Sequence, residues 1–218
     1  MPEYPLSNFT VVTPPAAEPV SVEEAKAHLR VDFADDDTYI GTLITAARED
    51  VEATISRALV TRTIDYYRDQ FPGIRPWPRS DVIELVQPPL IAITWLKFTD
   101  TYGTVRTWTP SGSDLLNELG VLNAHVDVVN SPGRIRLAYS QVWPTQVLRT
   151  LNGITIRYTC GYGAAAAVPV RAKQAMMMLI GTWYENRESV ISGRGITSIA
   201  VDDGVARLLA PLKNWNFA

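Results

Sequence analysis

The sequence predicts an α+β fold: an antiparallel helical bundle of two N-terminal helices plus one long C-terminal helix, with an inserted antiparallel β-sheet or sandwich. Apolar residues recur at helical spacing on either side of the middle of the chain, over 37–58 and 169–187. Between these two stretches lie short segments rich in β-branched and aromatic residues, separated by turn sequences. Helical patterns that flank a β-rich stretch indicate a β insertion between helices that pack together.

The long C-terminal helix is predicted over Pro169–Arg187. Proline suits the first turn of a helix because its φ is fixed and its missing N–H has no partner to lose there. The apolar stripe that follows consists of Ala172, Ala175, Met176, Leu179, Ile180 and Trp183. Such a stripe predicts a face packed against other helices.

The two N-terminal helices are marked by different start signals. Ser21 and Glu24 have the spacing of a capping box, which opens a short helix that runs to Leu29. Asp35-Asp36-Asp37 begins the second helix, which runs to about Ala58, and its carboxylates are predicted to cap the helix N-terminus. The second stripe consists of Ile40, Leu43, Ile44, Ala47, Val51 and Ile55.

The clearest strand is Leu90–Thr99, which Asp100–Gly103 turns back into Thr104–Thr109 as a hairpin. Further strands are predicted at Val60–Phe71, Val82–Val86, Leu115–Leu119, Ala124–Val129, Gly133–Tyr139 and Gly153–Thr159. Hairpin-like links between them favour antiparallel pairing.

The predicted organisation has four parts. Residues 1–20, rich in proline, form an extended arm, and residues 60–163 form the inserted β domain. Residues 21–59 and 168–188 form the helical core. Residues 189–218 form an irregular loop and a C-terminal docking tail, with a short helix over Val205–Leu212.

Composition excludes several classes of protein. Hydrophobic residues make up 46% and charged residues 20%, as in ordinary folded proteins, and the net charge of −3 argues against a general nucleic-acid binder. The single Cys160 forms no intrachain disulfide and has no partner pattern for zinc. Neither a signal peptide nor a membrane-spanning apolar run is present, so the sequence predicts a soluble intracellular protein without membrane association.

No catalytic, metal or cofactor motif emerges. His28 and His125 lie far apart in sequence, Cys160 sits in a strand-like alternation, and Asp202-Asp203 precede a glycine as in a turn. The aspartate triplet at 35–37 lacks the other ligands that a metal site needs. We therefore expect no enzyme, no bound metal and no cofactor.

Two blocks of this sequence resemble the head–tail connectors, or head-completion adaptors, of tailed phages and gene-transfer agents. Pro19–Arg30, Asp35–Ile40 and Ala46–Glu52 are similar to the opening of those proteins. Pro169–Ala175 and Trp183–Glu188 resemble their C-terminal helix. Between Ile64 and Tyr158 the likeness is one of layout, with strands in an insertion.

The resemblance implies a non-enzymatic, commonly dodecameric ring below the portal protein, located in the virion neck and assembled in the host cytoplasm. The ring would extend the DNA channel without sequence-specific DNA binding and would meet a stopper or tail-terminator protein. Contacts with neighbouring proteins in such a ring would explain the proline-rich arm, the long loop and the apolar tail.

Residue roles follow as expectations from this resemblance. Portal docking is assigned to Leu208, Leu209, Leu212, Trp215 and Phe217, and we expect deletion of Val205–Ala218 to leave a folded chain that no longer binds portal. Contacts between subunits are assigned to Ile40, Ile44, Arg48, Arg171, Trp183, Arg187, Arg194 and Ile196. Two alternatives remain open: a tail-completion or other neck protein, and a β-type binding module that uses Trp77, Trp95 or Trp108.

Overall fold

The computed structural model describes residues 8–72, 82–186 and 201–214. Within these residues the chain divides into two compact units. The β unit comprises the described residues of 8–15 and 61–161, and the helical unit comprises those of 16–60 and 162–214. The α+β class is confirmed.

Four α-helices form in the described residues, and all of them lie in the helical unit. They are α1 (Val22–Leu29), α2 (Asp37–Ile55), α3 (Val170–Glu185) and α4 (Val201–Leu209), with single 3₁₀ turns at Ala165–Ala167 and Ala210–Leu212. The short helix predicted over Val205–Leu212 begins earlier than predicted, because α4 starts at Val201, within the predicted irregular loop. The rest of that loop, 189–200, lies outside the described residues.

The capping box at the start of α1 is confirmed. The backbone N–H of Glu24 donates to the Ser21 hydroxyl at 3.1 Å, and the Ser21 N–H donates to the Glu24 carboxylate at 2.9 Å. The helix ends at Arg30, whose left-handed backbone (φ 58°) returns its N–H to the carbonyl of Lys26. Local sequence therefore determines the start of this helix.

The helical core is built by the two predicted stripes. Every member of the α2 stripe is buried, and α3 adds Ala172, Ala175, Met176 and Ile180, while Leu179 and Trp183 are partly buried against the same core. Helix α4 contributes Val205 and Leu209. It lies close to α3, since a Cβ added at Gly204 would be 2.9 Å from Cε of Met178.

The β unit contains nine described strands, all paired antiparallel in the order β1-β2-β9-β4-β5-β6-β7-β8-β3. They are β1 (Phe9–Thr13), β2 (Arg62–Arg68), β3 (Val82–Glu84), β4 (Leu90–Thr99), β5 (Val105–Ser111), β6 (Asp114–Leu116), β7 (Leu122–Asp127), β8 (Arg134–Leu137) and β9 (Ile154–Cys160). The strands predicted to include Leu119 and Val129 end earlier, so both residues lie in turns.

The sheet curls because β5 pairs with two different strands along its length. Its first half, Val105–Trp108, pairs with β4, and its second half, Thr109–Ser111, pairs with β6. The β9 alternation then reads as predicted, with Ile154, Ile156, Tyr158 and Cys160 buried on one face. Burial raises the pKa of the Tyr158 phenol, and its hydroxyl donates to the carbonyl of Val86 at 2.6 Å.

Candidate functional site

The aspartates at the start of α2 tie helices together, and the prediction that they cap the helix is wrong for Asp36. Asp36 occupies the N-cap position but makes no side-chain cap hydrogen bond. Its carboxylate accepts a hydrogen bond from the Tyr184 hydroxyl on α3 at 2.5 Å. Asp37 pairs with the Lys26 ammonium on α1 at 2.6 Å. One end of α2 therefore joins both neighbouring helices through carboxylates.

Arg48 lies at the centre of a carboxylate cluster inside the helical unit. Its guanidinium contacts Glu18 at 2.8 Å, Glu52 at 3.0 Å and Glu49 at 3.3 Å, and Arg48 is only 6% exposed. Burial by itself would lower the pKa of Arg48, but the carboxylates of Glu52 and Glu18 outweigh that effect and raise it. Glu52 also accepts a hydrogen bond from the backbone N–H of Leu59 at 2.8 Å. The cluster fixes the turn that follows α2.

The residues assigned to subunit contacts fall into three groups. Ile40 and Ile44 are 0% and 1% exposed in the helical core, and Arg48 is engaged by its own carboxylates, so all three are already used within the unit. Arg171 is exposed on α3, and Trp183 is partly buried. Arg187, Arg194 and Ile196 lie outside the described residues. A role in subunit contact stays a prediction for all of them.

The residues assigned to portal docking also differ in availability. Leu209 is 1% exposed and belongs to the helical core, whereas Leu208 and Leu212 are only partly buried against it. The N–H of Asn214 donates to the carbonyl of Ile55 at 2.9 Å, which holds the chain on α2 up to this point. The remaining docking residues, Trp215 and Phe217, lie outside the described residues.

The β unit presents a second candidate surface at one end of its sheet. Because neighbouring strands are antiparallel, β2, β4, β6 and β8 all end there, and β9 begins there. We call this surface, formed by 69–72, 100–104, 117–121 and 138–153, the loop end. The turn after β4 is organised by Asp100, whose carboxylate accepts from the N–H groups of Tyr102 and Thr104 at 2.9 Å each. Those N–H groups hold the pKa of Asp100 below its usual value.

Other loops at this end are held equally firmly. The Asn117 side chain accepts from the N–H groups of Leu119 and Val121 at 2.9 and 3.0 Å. Asp69 accepts from the N–H of Asn152 at 2.8 Å, and Arg149 donates two hydrogen bonds to the carbonyl of Asn152. These loops therefore have defined shapes before any partner binds.

The loop end exposes large apolar side chains, which turns of a solitary soluble domain seldom do. The members with at least 70% exposure are Tyr102 (93%), Leu119 (87%), Tyr139 (98%), Val147 (74%) and Leu151 (70%). Two open cavities of 270 and 580 Å³ lie among the same loops, and Trp143 lines both. Sequence reasoning missed this surface. Its signal was an apolar residue directly before a turn glycine, at Tyr102-Gly103 and Leu119-Gly120.

Aromatic side chains at the loop end pack inward. The rings of Phe71, Trp108 and Trp143 pack against one another, and the Trp143 centroid lies 5.0 Å from that of Phe71 and 5.8 Å from that of Trp108. Trp108 is 2% exposed, so the expectation that it lies at the surface of a β-type binding module is wrong. Lys97 and Arg157 lie over the Trp95 ring, at 4.3 and 4.9 Å from its centroid. Trp77 lies outside the described residues.

In the described part of the chain, no group of three or more His, Cys, Asp or Glu residues is placed to hold a metal ion. Cys160 is buried, and His125 pairs with Asp114 at 2.7 Å on the exposed face of β6 and β7. None of the helices in the described ranges combines the length and the apolar character that crossing a membrane requires.

Comparison with known proteins identifies a family likeness in the N-terminal part. Residues 19–86 match the model of the phage gp6-like head–tail connector protein family. This range contains α1 with its capping box, α2 with its apolar stripe, β2 and β3. No curated protein sequence matches the chain.

Solved structures extend the likeness to nearly the whole chain. A chain in the neck of an empty gene transfer agent particle, computed with C6 symmetry, has 22% identity and a TM-score of 0.69, with 94% of this chain and 95% of that chain covered. A chain in the virion of a native gene transfer agent particle has 20% identity and a TM-score of 0.70, with coverages of 95% and 96%.

A third chain, in the neck of a native particle computed with C12 symmetry, has 20% identity and a TM-score of 0.62, with 94% of both chains covered. At these identities the structural matches establish a shared fold, which includes both the helical and the β unit. The resemblance of this chain to the head–tail connector family of phages and gene transfer agents is therefore confirmed, and that family is structural and not enzymatic.

Proposed function

We propose that this chain is a connector subunit in the neck of a phage-like particle. Copies of it form a ring, of twelve subunits, below the portal, and the ring extends the DNA channel and joins the capsid to a stopper or tail-terminator protein. The observation that carries the proposal is the shared fold: 94–95% of this chain superposes on chains from gene transfer agent particles, two of them from particle necks. The match of residues 19–86 to the head–tail connector model supports it independently.

In this proposal the helical unit forms the body of the ring. Helices α1, α2 and α3 form the antiparallel bundle, and the exposed Arg171 and the partly buried Trp183 are the described residues through which α3 contacts a neighbour. Arg187, Arg194 and Ile196 extend the same contact. The particle neck is the proposed location, reached after assembly in the host cytoplasm.

Portal docking is proposed for the C-terminal tail. Since Leu209 is packed in the core, docking falls to the accessible parts of Leu208 and Leu212 together with Trp215 and Phe217. Aromatic anchors are frequent at the centre of protein interfaces. The loop end of the β unit, which carries five apolar side chains with at least 70% exposure, is proposed as a surface for a further neck component.

DNA passes through the proposed ring without specific contacts. A net charge of −3 per subunit suits this role, because a strongly cationic lumen would bind phosphates and hold DNA that has to move. The carboxylates around Arg48 neutralise one cation within the helical unit.

The test is electron cryomicroscopy of the neck in particles that carry this chain. A closed ring of this chain between portal and tail, with the C-terminus against portal, is the expected result. Density for the chain elsewhere, or its absence from particles, would contradict the proposal. Density beside the tail without portal contact would favour the alternative of a tail-completion protein.

A truncation tests the docking tail separately. Deletion of Val205–Ala218 would remove Val205 and Leu209 from the core, so loss of binding by that variant would not distinguish docking from unfolding. Ending the chain after Asn214 keeps these residues. We expect that truncated chain to keep its melting temperature and to lose portal binding in a pull-down, with Leu119→Ser at the loop end as the control that binds normally.

A further inference from the structure

The helical unit carries an acidic surface at one of its ends. The hydrogen bond between Tyr184 and Asp36 places the C-terminus of α3 beside the loop that joins α1 to α2. Phe33 in that loop is 48% exposed. Arg30, which is exposed at the start of the same loop, offsets only part of the negative charge. We call this surface the acidic end, and its members, all of them exposed, are Asp32, Phe33, Asp35 and Glu185.

The opposite end of the helical unit carries cations. Helix α3 begins there, and between residues 162 and 184 the sequence contains Arg171 and Lys173 but no carboxylate. Val170 is 80% exposed, Arg171 and Gln174 are exposed, and Lys173 is partly exposed. We call the surface formed by these four residues the basic end.

The charges at the two ends are not neutralised within the described residues. No ion pair there joins Asp32 or Asp35 to a cation, or Arg171 or Lys173 to a carboxylate. Helix α3 has 16 residues, so the rise of an α-helix separates its two ends by about 22 Å. This distance exceeds the Debye length of about 8 Å at physiological ionic strength. The two ends of one subunit therefore do not compensate each other.

We propose that the acidic end of one copy of this chain contacts the basic end of the next copy in the neck ring. Carboxylates of one subunit would pair with Arg171 and Lys173 of its neighbour, and Phe33 would pack against the neighbour's Val170. Because the two surfaces are different and lie at opposite ends of one unit, the contact is head-to-tail. A head-to-tail contact closes into a ring when its rotation allows.

This inference rests on the proposed function and names the surfaces through which ring subunits meet. A second copy is the fitting occupant because each end carries the charge that the other end lacks. Exposed apolar side chains, Phe33 on one end and Val170 on the other, lie beside these charges. An interface with apolar contacts and charged residues around them has the usual composition of a protein contact.

A pair of cysteines tests the contact directly. Cys160, the single cysteine of the sequence, is buried, so Phe33→Cys and Val170→Cys would introduce the accessible thiols. A disulfide between them requires their Cα atoms to lie within about 7 Å. Oxidised necks that carry both substitutions in each chain should give a ladder of covalent oligomers beyond the dimer on a non-reducing gel. Each single substitution should leave the chain monomeric on that gel.

Charge reversal tests the electrostatic part of the contact. Asp32→Lys with Asp35→Lys gives a subunit with cations at both ends, and Arg171→Glu with Lys173→Glu gives one with carboxylates at both ends. We expect either double variant alone to occupy necks at least about tenfold less than wild type. Co-expression of the two should restore occupancy, because unlike ends then meet again. Asp114→Lys reverses a charge in the β unit and should leave occupancy unchanged.

The outcomes separate this inference from the proposed function. A wild-type chain that occupies necks, with no ladder from the cysteine pair and no effect of charge reversal, would overturn the inference and leave the connector role standing. Absence of the wild-type chain from necks would overturn both. Covalent oligomers that stop at the dimer would assign the two ends to a two-fold pair and contradict the ring contact. Failure of co-expression to restore occupancy would also contradict it. If melting temperatures show that a charge-reversed variant does not fold, the cysteine measurement decides alone.

Discussion

The Tyr184 hydroxyl donates a hydrogen bond to the Asp36 carboxylate at 2.5 Å, joining the last turn of α3 to the first residue before α2. The partners are 148 residues apart in sequence, and the whole β-strand insertion from β2 to β9 lies between them. The bond therefore joins two segments of the helical unit that are distant in sequence. Because the acceptor is a carboxylate and the contact is partly buried, its loss should cost more than that of an average surface hydrogen bond.

Tyr184→Phe should lower the free energy of unfolding by about 1–2 kcal/mol. The ring contact with Tyr39, at 6.1 Å between centroids, is retained in this variant. Tyr39→Phe is the matched control, since the Tyr39 hydroxyl lies 3.5 Å from the carbonyl of Trp183 and should contribute less than about 0.5 kcal/mol through that contact. Urea denaturation followed by circular dichroism measures both. Equal losses in the free energy of unfolding of the two variants would contradict a larger contribution from the hydrogen bond between Tyr184 and Asp36.

Arg48→Met should be among the most destabilising single changes in the helical unit, by about 3–5 kcal/mol. It would remove the guanidinium that contacts Glu18 and Glu52, and the Glu52 side chain is only 5% exposed. Glu49→Gln removes a carboxylate that is 68% exposed and should cost less than about 0.5 kcal/mol. Adding Glu52→Gln to Arg48→Met should recover part of the loss. Denaturant midpoints of wild type, the two single variants and the double variant provide the measurement. A stability loss in Arg48→Met no larger than that in Glu49→Gln would refute a central role for Arg48.

Local sequence signals predicted many of the elements. The Ser21 and Glu24 capping box needs only residues three apart. Strand β4 and the Asp100 turn that follows it are predicted by β-branched and aromatic residues and by turn chemistry. The α2 and α3 stripes predicted the helical core because a buried face imposes its period on the sequence. These features are encoded within a few neighbouring residues.

Contacts between residues that are distant in sequence could not be predicted from the sequence. Asp36 and Asp37 were expected to cap α2, but Tyr184 and Lys26 offered stronger partners that only the fold brings near. Likewise, Trp108 carries no sign in its own strand that Phe71 and Trp143 will enclose it. The loop end was missed for the same reason, since its loops are separate in sequence and meet only after the sheet has formed.

The hairpin between β7 and β8 should show a specific dependence on acid. The Asp127 carboxylate accepts hydrogen bonds from Arg134 at 2.6 Å and from the backbone N–H groups of Asn130 and Val129. These hydrogen bonds, of which that from Arg134 has the largest effect and those from Asn130 the next, hold the pKa of Asp127 well below its usual range. The folded state thus binds this proton more weakly than the unfolded state. Its stabilisation is present above the unfolded pKa of about 3.9 and is lost as the pH falls below that value.

Asp127→Asn should therefore lower Tm by about 2–4 °C at pH 7, and the difference from wild type should shrink between pH 4 and pH 2. Asp114→Asn is a suitable control for the loss of one carboxylate in the same unit. Asp114 contacts the exposed His125, so its removal should change Tm less at pH 7. Thermal melts at several pH values provide the measurement. A difference between wild type and Asp127→Asn that stays constant down to pH 2 would contradict the role of the ionised carboxylate.

The tail provides the sharpest comparison, because two adjacent leucines have different environments. Leu209 is 1% exposed in the helical core, whereas Leu208 is only partly buried against it. Leu209→Ala should lower the free energy of unfolding by about 2–5 kcal/mol through lost packing and a cavity, and Leu208→Ala by about 1 kcal/mol. If the tail docks on portal, Leu208→Ala should weaken portal binding at a temperature where both variants are folded, while Leu209→Ala should bind normally there. Urea denaturation together with a portal pull-down measures the pair. Equal stability losses would contradict the described packing of α4, and normal portal binding by Leu208→Ala would remove Leu208 from the docking surface.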